Sequence, residues 1–511
     1  LTTEAKNKWF NRRMEQSLRE LEWTALLSGG VYPAQQLDAV WREVLLYQFH
    51  DILPGSSIKR VYDESLARYS AMHAEVERLI RQNQAALAEN LDTQGMAAPV
   101  VVFNSLSWPR REWQKLGGHW KLVEAPAMGC AVLDVSEGDP APAVLASQNR
   151  LENDLLRVEF DASGAICSIF DKTCGREVLR PGQPANRLAV YRNPGDAWDF
   201  PLDYRNQTPR HMQLVSAAPR QDGPRAVIEQ VYRIGSSELV QEISLTYGNR
   251  RLEFDSRLHW RETEAMLRVS FPVAVQAEEA SYEIQFGHLR RSTHRNTTWD
   301  LARDEVAAHK WVDLSQRDYG IALLNDSKYG HRVKDGVIEL NLLRSTPYPG
   351  YNTALDAQVQ PGEPHPGFTD QADHVFRYAL YPHPGDLVTG GVIQAGYEFN
   401  FPLRSHAAAA HPGPLPRQAS FLTIDAPEII VEAVKKAEDS QAVIIRLYES
   451  TRASVQAALR FGFPVESVSE ANLLEEPIHP IELADQSVKL SFQPFEIKTL
   501  LVQPARQAAR G

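Results

Sequence analysis

The sequence predicts a multidomain α+β protein: an N-terminal three-helix bundle, then a large all-β super-sandwich and smaller β-sandwich domains. Up to about residue 91, apolar side chains recur every three or four positions, which is typical of one face of an α-helix. Beyond that point, short β-branched and aromatic runs alternate with polar residues and are separated by turn residues, which is typical of strands. The 511 residues allow about three domains of ~150 residues each.

Three amphipathic segments make up the predicted bundle. The first runs from Lys6 to Leu27 and ends at a Ser-Gly-Gly sequence, where glycine suits a helix C-cap. The second carries an apolar stripe from Leu37 to Phe49, Leu45 included, and a Pro-Gly pair ends it. The third carries a stripe from Val61 to Ile80. The turns between them are short, so we expect the three helices to pack against one another.

Changes in composition suggest where the domains divide. Proline-rich and alanine-rich stretches at 136–142 and 407–416 are typical of linkers. We therefore predict four domains: the helical bundle over 1–95, a small β domain over 96–148, a large β-sandwich over 149–405 and a C-terminal β-sandwich over 417–504.

Charge and cysteine content exclude several classes of protein. The net charge of −11 repels phosphate backbones, so we predict no nucleic-acid partner. No apolar run approaches the ~20 residues that cross a bilayer, so we predict no membrane partner. The odd cysteine count, Cys130, Cys167 and Cys174, with no Cys-x-x-Cys pair, indicates neither a disulfide framework nor a cysteine-rich zinc site.

A histidine and an aspartate stand side by side where the second predicted helix ends. On a helix, His50 and Asp51 would point about 100° apart and would contact different atoms of one bound object rather than each other. A helix C-terminus favours a cation, and imidazole is a common ligand of zinc-like metals. The alternative is a histidine that caps the helix beside a solvated aspartate, and an isolated His-Asp pair favours that simpler interpretation.

The segment from Thr293 to Tyr329 is dense in polar and aromatic side chains. Aromatic and hydrogen-bonding groups together suit sugar rings, which have apolar faces and hydroxyl rims. The alternative, which composition favours, is that these side chains partner one another between two sheets. The side chains in question are His294, Asn296, Trp299, Asp300, His309, Lys310, Trp311, Asn325 and Asp326.

Several motifs, in order along nearly the whole chain, resemble glycoside hydrolase family 38. QFHDILPGSSIKRVYDE, residues 48–64, resembles the segment that follows the family's catalytic barrel. VVVFNSLSW at 100–108 and LENDLLRVEFDASGAICSIFDK at 151–172 are similar to the starts of its β domains. Three further motifs similar to the family follow in order: THRNTTWDLARDEVAAHKWVDLS at 293–315, YGIALLNDSKYG at 319–330 and LNLLRSTPYPG at 340–350. The wording AHKW and LLNDSKYG resembles the cytosolic and vacuolar α-mannosidases and their bacterial relatives.

This resemblance implies a retaining α-mannosidase acting on α-linked mannosides. In the family, a β/α barrel supplies the nucleophile, the acid/base and most ligands of a divalent metal, usually zinc and sometimes cobalt. The motif after the barrel implies that His50 is a further metal ligand and that Asp51 binds sugar hydroxyls. Arg344 is the match to an arginine that reaches the substrate. Because the resemblance begins after the barrel, it implies that this chain holds no catalytic residue and is inactive, or nearly so, without a barrel domain.

Two other functions stay open. One is hydrolysis of a mannosyl-glycerate by a member of the same family. The other is a non-catalytic carbohydrate-binding or scaffolding β-sandwich module. The resemblance also implies a cytoplasmic protein, a mannose-containing oligosaccharide or mannoside as substrate, the barrel domain as a partner, and a dimer or tetramer.

Overall fold

The computed structural model describes residues 1–350, 359 and 362–505. Its first elements are the helices α1 (Ala5–Leu27), α2 (Ala34–Tyr47) and α3 (Lys59–Ala88), which lie where the apolar stripes predict helices. One cluster of buried side chains draws on all three: Met14, Leu18, Leu21, Ala25, Leu37, Val40, Val44, Tyr69, Met72, Val76, Leu79 and Ile80.

The predicted stripe of the second helix is wrong at its C-terminal end. The helix ends at Tyr47, and only the earlier stripe residues Leu37, Val40 and Val44 are buried. Leu45 is 60% exposed and Phe49 is 51% exposed. Apolar character alone predicts burial, so the pattern cannot separate a core position from an apolar side chain that faces water.

Strands dominate the rest of the chain. The first group follows the helices: β1 (Pro99–Asn104), β2 (Arg110–Leu116), β3 (His119–Ala125) and β4 (Gly129–Asp134). The central group is β5 (Leu145–Ser147), β6 (Arg150–Glu152), β7 (Leu156–Phe160), β8 (Ile166–Asp171), β9 (Arg176–Glu177), β10 (Arg187–Arg192), β11 (Arg210–His211), β12 (Gln213–Asp222), β13 (Arg225–Ile234), β14 (Ser237–Thr246), β15 (Leu252–His259), β16 (Ala265–Pro272), β17 (Glu279–Ile284), β18 (Gly287–Ser292), β19 (Val306–Ala307), β20 (Trp311–Ser315), β21 (Tyr319–Asn325), β22 (Gly330–Lys334), β23 (Val337–Ser345) and β24 (Asp373–Pro384). The last group is β25 (Arg404–Ala407), β26 (Gln418–Ser420), β27 (Leu422–Ile424), β28 (Ile429–Lys436), β29 (Val443–Glu449), β30 (Val455–Phe461), β31 (Val465–Ala471), β32 (Pro477–Ile481), β33 (Ser487–Phe492) and β34 (Ile497–Pro504).

Three sheets build the large central part around one core. A nine-stranded sheet has the order β12-β13-β14-β15-β24-β21-β20-β17-β18. A six-stranded sheet, β11-β10-β16-β23-β22-β19, and a five-stranded sheet, β5-β6-β7-β8-β9, complete it. A single cluster of buried side chains includes Ile169, Leu267 and Phe254, one from each of the three sheets. This shared core is the sheet-on-sheet packing expected of a sandwich.

The small sheet after the helices draws on two distant stretches of chain. It has the order β25-β1-β4-β26, so strands near residues 404–420 flank strands near 99–134. The region predicted as a small domain, 96–148, is thus completed by residues from beyond 400, which local patterns do not indicate. The four domain boundaries themselves stay a prediction.

The C-terminal part pairs a three-stranded sheet, β27-β30-β33, with a five-stranded sheet, β28-β29-β34-β31-β32. Their shared core reaches Trp23 of α1 and Leu87 of α3, so the helices and the last domain pack together. Two short helices interrupt the β region, α4 (Thr298–Ala302) and α5 (Val392–Asn400). Within the described part of the chain, no helix is both long and apolar enough to cross a membrane.

Candidate functional site

A braced turn carries the predicted metal and sugar ligands. After α2 ends, the chain folds back through residues 48–57 before α3 begins. The carbonyl oxygen of Asp51 accepts hydrogen bonds from the Ser56 amide at 3.1 Å, the Ser57 hydroxyl at 3.0 Å and the Tyr62 hydroxyl at 3.0 Å. Three donors on one carbonyl fix the backbone from which the His50 and Asp51 side chains project.

The two side chains face each other, contrary to the expectation from helical geometry. Their closest atoms, His50 Nε2 and Asp51 Oδ2, are 3.5 Å apart. The expectation was wrong because these residues lie in the turn and not on the helix. The His50 side chain is 76% exposed and that of Asp51 is 40% exposed. The Ser56 hydroxyl donates to Asp51 Oδ1 at 3.1 Å, which leaves Oδ2 directed toward the imidazole.

Exposed apolar side chains surround this turn. Leu45, Leu46, Phe49 and Ile58 are each at least half exposed, and we call them the apolar rim. The Phe49 ring lies beside the His50 ring, with 4.1 Å between centroids. Exposed apolar groups gathered beside a histidine-carboxylate pair are typical of a surface that another protein surface covers.

The turn offers too few ligands to hold a zinc-like ion alone. Protein metal sites of this type use three or four side-chain ligands. Over the described ranges, no group of three or more histidine, cysteine, aspartate and glutamate side chains is placed to bind a metal ion. His50 fits as one contributor, because its imidazole is exposed and has a carboxylate beside it.

The first residues of the chain support the turn from behind. Gly55 adopts φ +95°, and a Cβ added there would lie 2.3 Å from the carbonyl oxygen of Thr3. The Lys8 ammonium donates to the carbonyls of Thr3 at 2.5 Å and Leu53 at 2.7 Å. Residues 1–8 therefore support the turn through Thr3, which lies against Gly55, and through Lys8, which binds the Leu53 carbonyl.

A buried carboxylate holds the start of α1 in turn. The Asp370 side chain accepts from the backbone amides of Glu4 at 2.9 Å and Ala5 at 2.8 Å. A carboxylate at a helix N-terminus satisfies free amides and faces the positive end of the helix dipole. The Tyr348 hydroxyl donates to Glu4 Oε1 at 2.7 Å. Sequence reasoning missed this cluster, because some 365 residues separate its members and neither side shows a local motif.

This cluster makes stability depend on pH. Burial, together with the nearby Asp370 carboxylate, raises the pKa of the Glu4 carboxyl to about 8. The folded chain therefore holds this proton more tightly than the unfolded chain, whose pKa is near 4.5. The free energy of unfolding should fall as the pH rises between those two values.

We expect Glu4→Gln to remove that loss, because glutamine still accepts from Tyr348 and carries no charge. As the pH rises from 5 to 7 the variant should gain ~2 kcal/mol relative to the parent, at about 1.4 kcal/mol per pH unit once the unfolded carboxyl is ionised. Calorimetry at pH 5, 6, 7 and 8 measures the difference in Tm. A Tm difference that does not change with pH would contradict the assignment.

Arg344 lies inside the protein and holds a loop. The residue is only 3% exposed, and its Nε donates to Asn193 Oδ1 at 2.5 Å. Its Nη2 donates to the carbonyl of Asp196 at 2.9 Å and also to that of Asp199. The guanidinium thus fixes the loop 193–200, whose Trp198 is 60% exposed.

Contacts run continuously from the turn to the strand of Arg344. The Tyr62 hydroxyl that binds the Asp51 carbonyl belongs to a ring 6.1 Å from the Tyr348 ring. Tyr348 binds Glu4, which is anchored on Asp370. The residue before Asp370, Thr369, donates its hydroxyl to the carbonyl of Arg344 at 3.2 Å. The structure therefore brings the turn and β23 to one region, and it directs the Arg344 guanidinium into the loop.

The polar segment 293–329 divides into an exposed and a buried part. In the exposed part, Trp299 projects from α4, whose N-cap is the Thr297 hydroxyl. In the buried part, Lys310 pairs with Glu283 at 2.7 Å and Asp326 pairs with Arg13 at 3.0 Å. The buried groups therefore have protein partners, but Glu283 and Arg13 lie outside the segment, and Arg13 belongs to α1 and not to a sheet.

Three family models match successive parts of the chain. The alpha mannosidase middle domain matches residues 1–87, which contain the three helices and the turn. The glycosyl hydrolases family 38 C-terminal domain matches residues 151–352. The glycosyl hydrolases family 38 C-terminal beta sandwich domain matches residues 428–500.

Two curated relatives are α-mannosidases about twice as long as this chain. Alpha-mannosidase 2C1 from Homo sapiens is 35% identical over 98% of this chain and 49% of its own length. Alpha-mannosidase from Saccharomyces cerevisiae is 28% identical over 97% of this chain and 47% of its own. The chain thus spans about half the length of the curated relatives that it matches.

A solved structure shares the fold. The crystal structure of an alpha-mannosidase from Enterococcus faecalis V583 superposes with a TM-score of 0.82 at 17% identity, covering 98% of this chain and 67% of that one. The shared fold, the order of the matched domains and the sequence identity all indicate the same family. The chain belongs to glycoside hydrolase family 38, of which it carries the middle domain and the C-terminal β domains.

Proposed function

We propose that this chain is the non-barrel part of a retaining, metal-dependent α-mannosidase that hydrolyses α-linked mannosides. The observation that carries the proposal is the turn 48–57, which presents a histidine and a carboxylate at an exposed surface. The apolar rim around it supports a covering partner, which we propose is a family 38 barrel domain. Relatives that align with 97–98% of the chain are α-mannosidases.

His50 supplies one ligand to a divalent metal, zinc or cobalt, whose other ligands come from the barrel. The metal, when bound, polarises sugar hydroxyls and favours a distorted ring. The chain's own part is to fix the imidazole. The braced Asp51 carbonyl sets the backbone, and the Asp51 carboxylate 3.5 Å from Nε2 favours the ring orientation observed.

Asp51 binds sugar hydroxyls in this proposal. A carboxylate accepts hydrogen bonds at both oxygens and can take two neighbouring hydroxyls at once. Oδ1 already accepts a hydrogen bond from the Ser56 hydroxyl, so Oδ2 has more lone-pair capacity left for sugar hydroxyls. Both groups of the pair therefore act on one sugar, the histidine through the metal and the aspartate directly.

Arg344 acts on the substrate through the loop that it holds. Its guanidinium is directed to the carbonyls of Asp196 and Asp199, and it positions the exposed ring of Trp198. An aromatic ring at a loop tip suits the apolar face of a sugar. Arg344 is a positioning residue in this account.

We also propose a cytoplasmic location. The three cysteines, Cys130, Cys167 and Cys174, are free thiols, and two of them are exposed. Exposed free thiols suit a reducing compartment.

The chain alone should release no nitrophenol from a nitrophenyl α-mannoside above the buffer rate. Retaining hydrolysis needs a nucleophile and an acid/base carboxyl about 5 Å apart, and the family places both in the barrel. Purified chain is assayed with and without zinc or cobalt, and again after joining to a family 38 barrel. Activity only in the joined protein is the expected result. Turnover by the chain alone that a carboxylate substitution within it abolishes would overturn the proposal.

A further inference from the structure

A second feature of this chain is a cleft between the β2–β3 hairpin and the nine-stranded sheet. It encloses about 460 Å³, within the range of ligand sites. A neighbouring cleft of about 400 Å³ shares Glu112, Arg251 and Glu398 with it, so the two form one groove. Neither cleft includes the turn 48–57.

One wall of the groove is an aromatic face of the hairpin. Trp113 lies opposite Leu122 and Lys115 lies opposite Trp120 across the two strands, so the four side chains share a face. Both indoles and Leu122 are half-buried. The Trp120 Nε1 and the Lys115 ammonium donate to Asp222 Oδ1 at 3.0 and 2.9 Å. These contacts fix the hairpin against the sheet and keep the groove open.

Residues outside the hairpin that line the groove are mostly polar and include one further ring. Tyr247 follows β14 and is exposed at the groove. Arg251 pairs with Glu253 at 3.0 Å and with Glu398 at 3.6 Å. Because Trp113 and Tyr247 line the same groove, both rings can contact one ring-shaped ligand.

A buried arginine also lines the groove. Arg110 is 4% exposed and donates to the Phe401 carbonyl at 2.6 Å and to Glu112 at 2.9 Å. Its Nε has no hydrogen-bond partner among the described residues and is sealed from the groove. Arg110 therefore holds Glu112 in place and does not offer this donor to a ligand.

The pairing of the charges selects the class of ligand. Acidic and basic groups of the groove already neutralise one another, as in Arg110 with Glu112 and Arg251 with Glu253. A charged ligand would have to break such pairs, whereas a neutral hydroxyl can use the lone pairs that remain. Carboxylates beside aromatic rings are typical of sugar sites, since hydroxyls need acceptors and ring faces need apolar contact.

We propose that this groove binds a neutral oligosaccharide, with one sugar ring between Trp113 and Tyr247 and its hydroxyls on the carboxylates of Glu253 and Glu398. The proposal concerns binding by this chain and does not depend on its hydrolytic role. It assigns the chain a carbohydrate contact separate from the turn that carries Asp51.

Titration of the purified chain with α-mannotriose and with maltotriose, followed by saturation-transfer NMR and calorimetry, tests the proposal. We expect at least one trisaccharide to bind at millimolar concentration. Trp113→Ala and Tyr247→Ala should each weaken binding about tenfold or more, since buried aromatic contacts dominate such sites. Trp299→Ala, which alters an exposed ring outside the groove, should leave affinity unchanged.

Circular dichroism checks that each variant is folded, and if Trp113→Ala is not, Tyr247→Ala alone decides. Three results would overturn the proposal: no binding of either sugar, unchanged affinity in a folded groove variant, or loss of binding in Trp299→Ala. The last would place the sugar at α4. None of these results bears on whether the chain completes a mannosidase, which is assayed by hydrolysis.

Discussion

Gly55→Ala is expected to lower the free energy of unfolding by about 3 kcal/mol or more. The residue adopts φ +95°, where an alanine is strained by about 1–3 kcal/mol. Its Cβ would also lie 2.3 Å from the backbone oxygen of Thr3, and a backbone atom cannot turn aside as a flexible side chain can. Thr3 would have to move, and with it the carbonyl that binds Lys8.

Gly29→Ala is the matched control. Gly29 also has a positive φ, +69°, but no atom lies within 4 Å of its added Cβ. It should lose only the backbone strain, about 1 kcal/mol. Urea denaturation followed by circular dichroism measures both variants. Equal losses would mean that Thr3 does not press on the turn, and the support we assign to residues 1–8 would be wrong.

His50→Ala is expected to reduce the activity of the assembled enzyme, this chain together with the barrel, by at least ~100-fold. Mutating an outer-shell partner of a metal ligand already lowers metal affinity or activity 10–100-fold, and we propose that His50 is a ligand itself. Folding should survive, because the side chain is 76% exposed and packs little. Steady-state hydrolysis of a nitrophenyl α-mannoside and circular dichroism measure the two properties.

The helical part of the fold could be predicted because its signal is local. Met14, Leu18 and Leu21 follow the helix period and are buried in the shared core. The stripe misled only at Leu45 and Phe49. Those side chains are apolar and lie at helical spacing, yet they face outward, and sequence pattern cannot show which surface will cover them.

Sheet order was beyond prediction. Strand β1 pairs with β25, some 300 residues later, and nothing in Val100 or Ala407 indicates the other. Alternation predicts that a strand exists and which side chains share a face, but not which strand lies beside it. The same reason hid the contact of Asp370 with the start of α1.

The functional residues depended on resemblance. Spacing alone also allowed His50 to be a helix cap beside a solvated Asp51. The assumption that both residues lie on a helix wrongly predicted that their side chains point away from each other. The proposed role of Arg344 also changed with the structure. Its acceptors in the loop 193–200 are the Asn193 side chain and two backbone carbonyls, and no sequence pattern pairs them with Arg344. The roles of all three residues stay predictions that experiments on the assembled enzyme can decide.

The metal content of the assembled enzyme tests the central claim most directly. The account predicts about one zinc or cobalt ion per active site in the parent protein and in Asp51→Asn, and a large loss of metal in His50→Ala. Asp51→Asn should lose activity while it keeps its metal. Full metal in a folded His50→Ala would contradict the claim that this turn supplies a ligand, and would leave His50 as a surface residue beside Asp51.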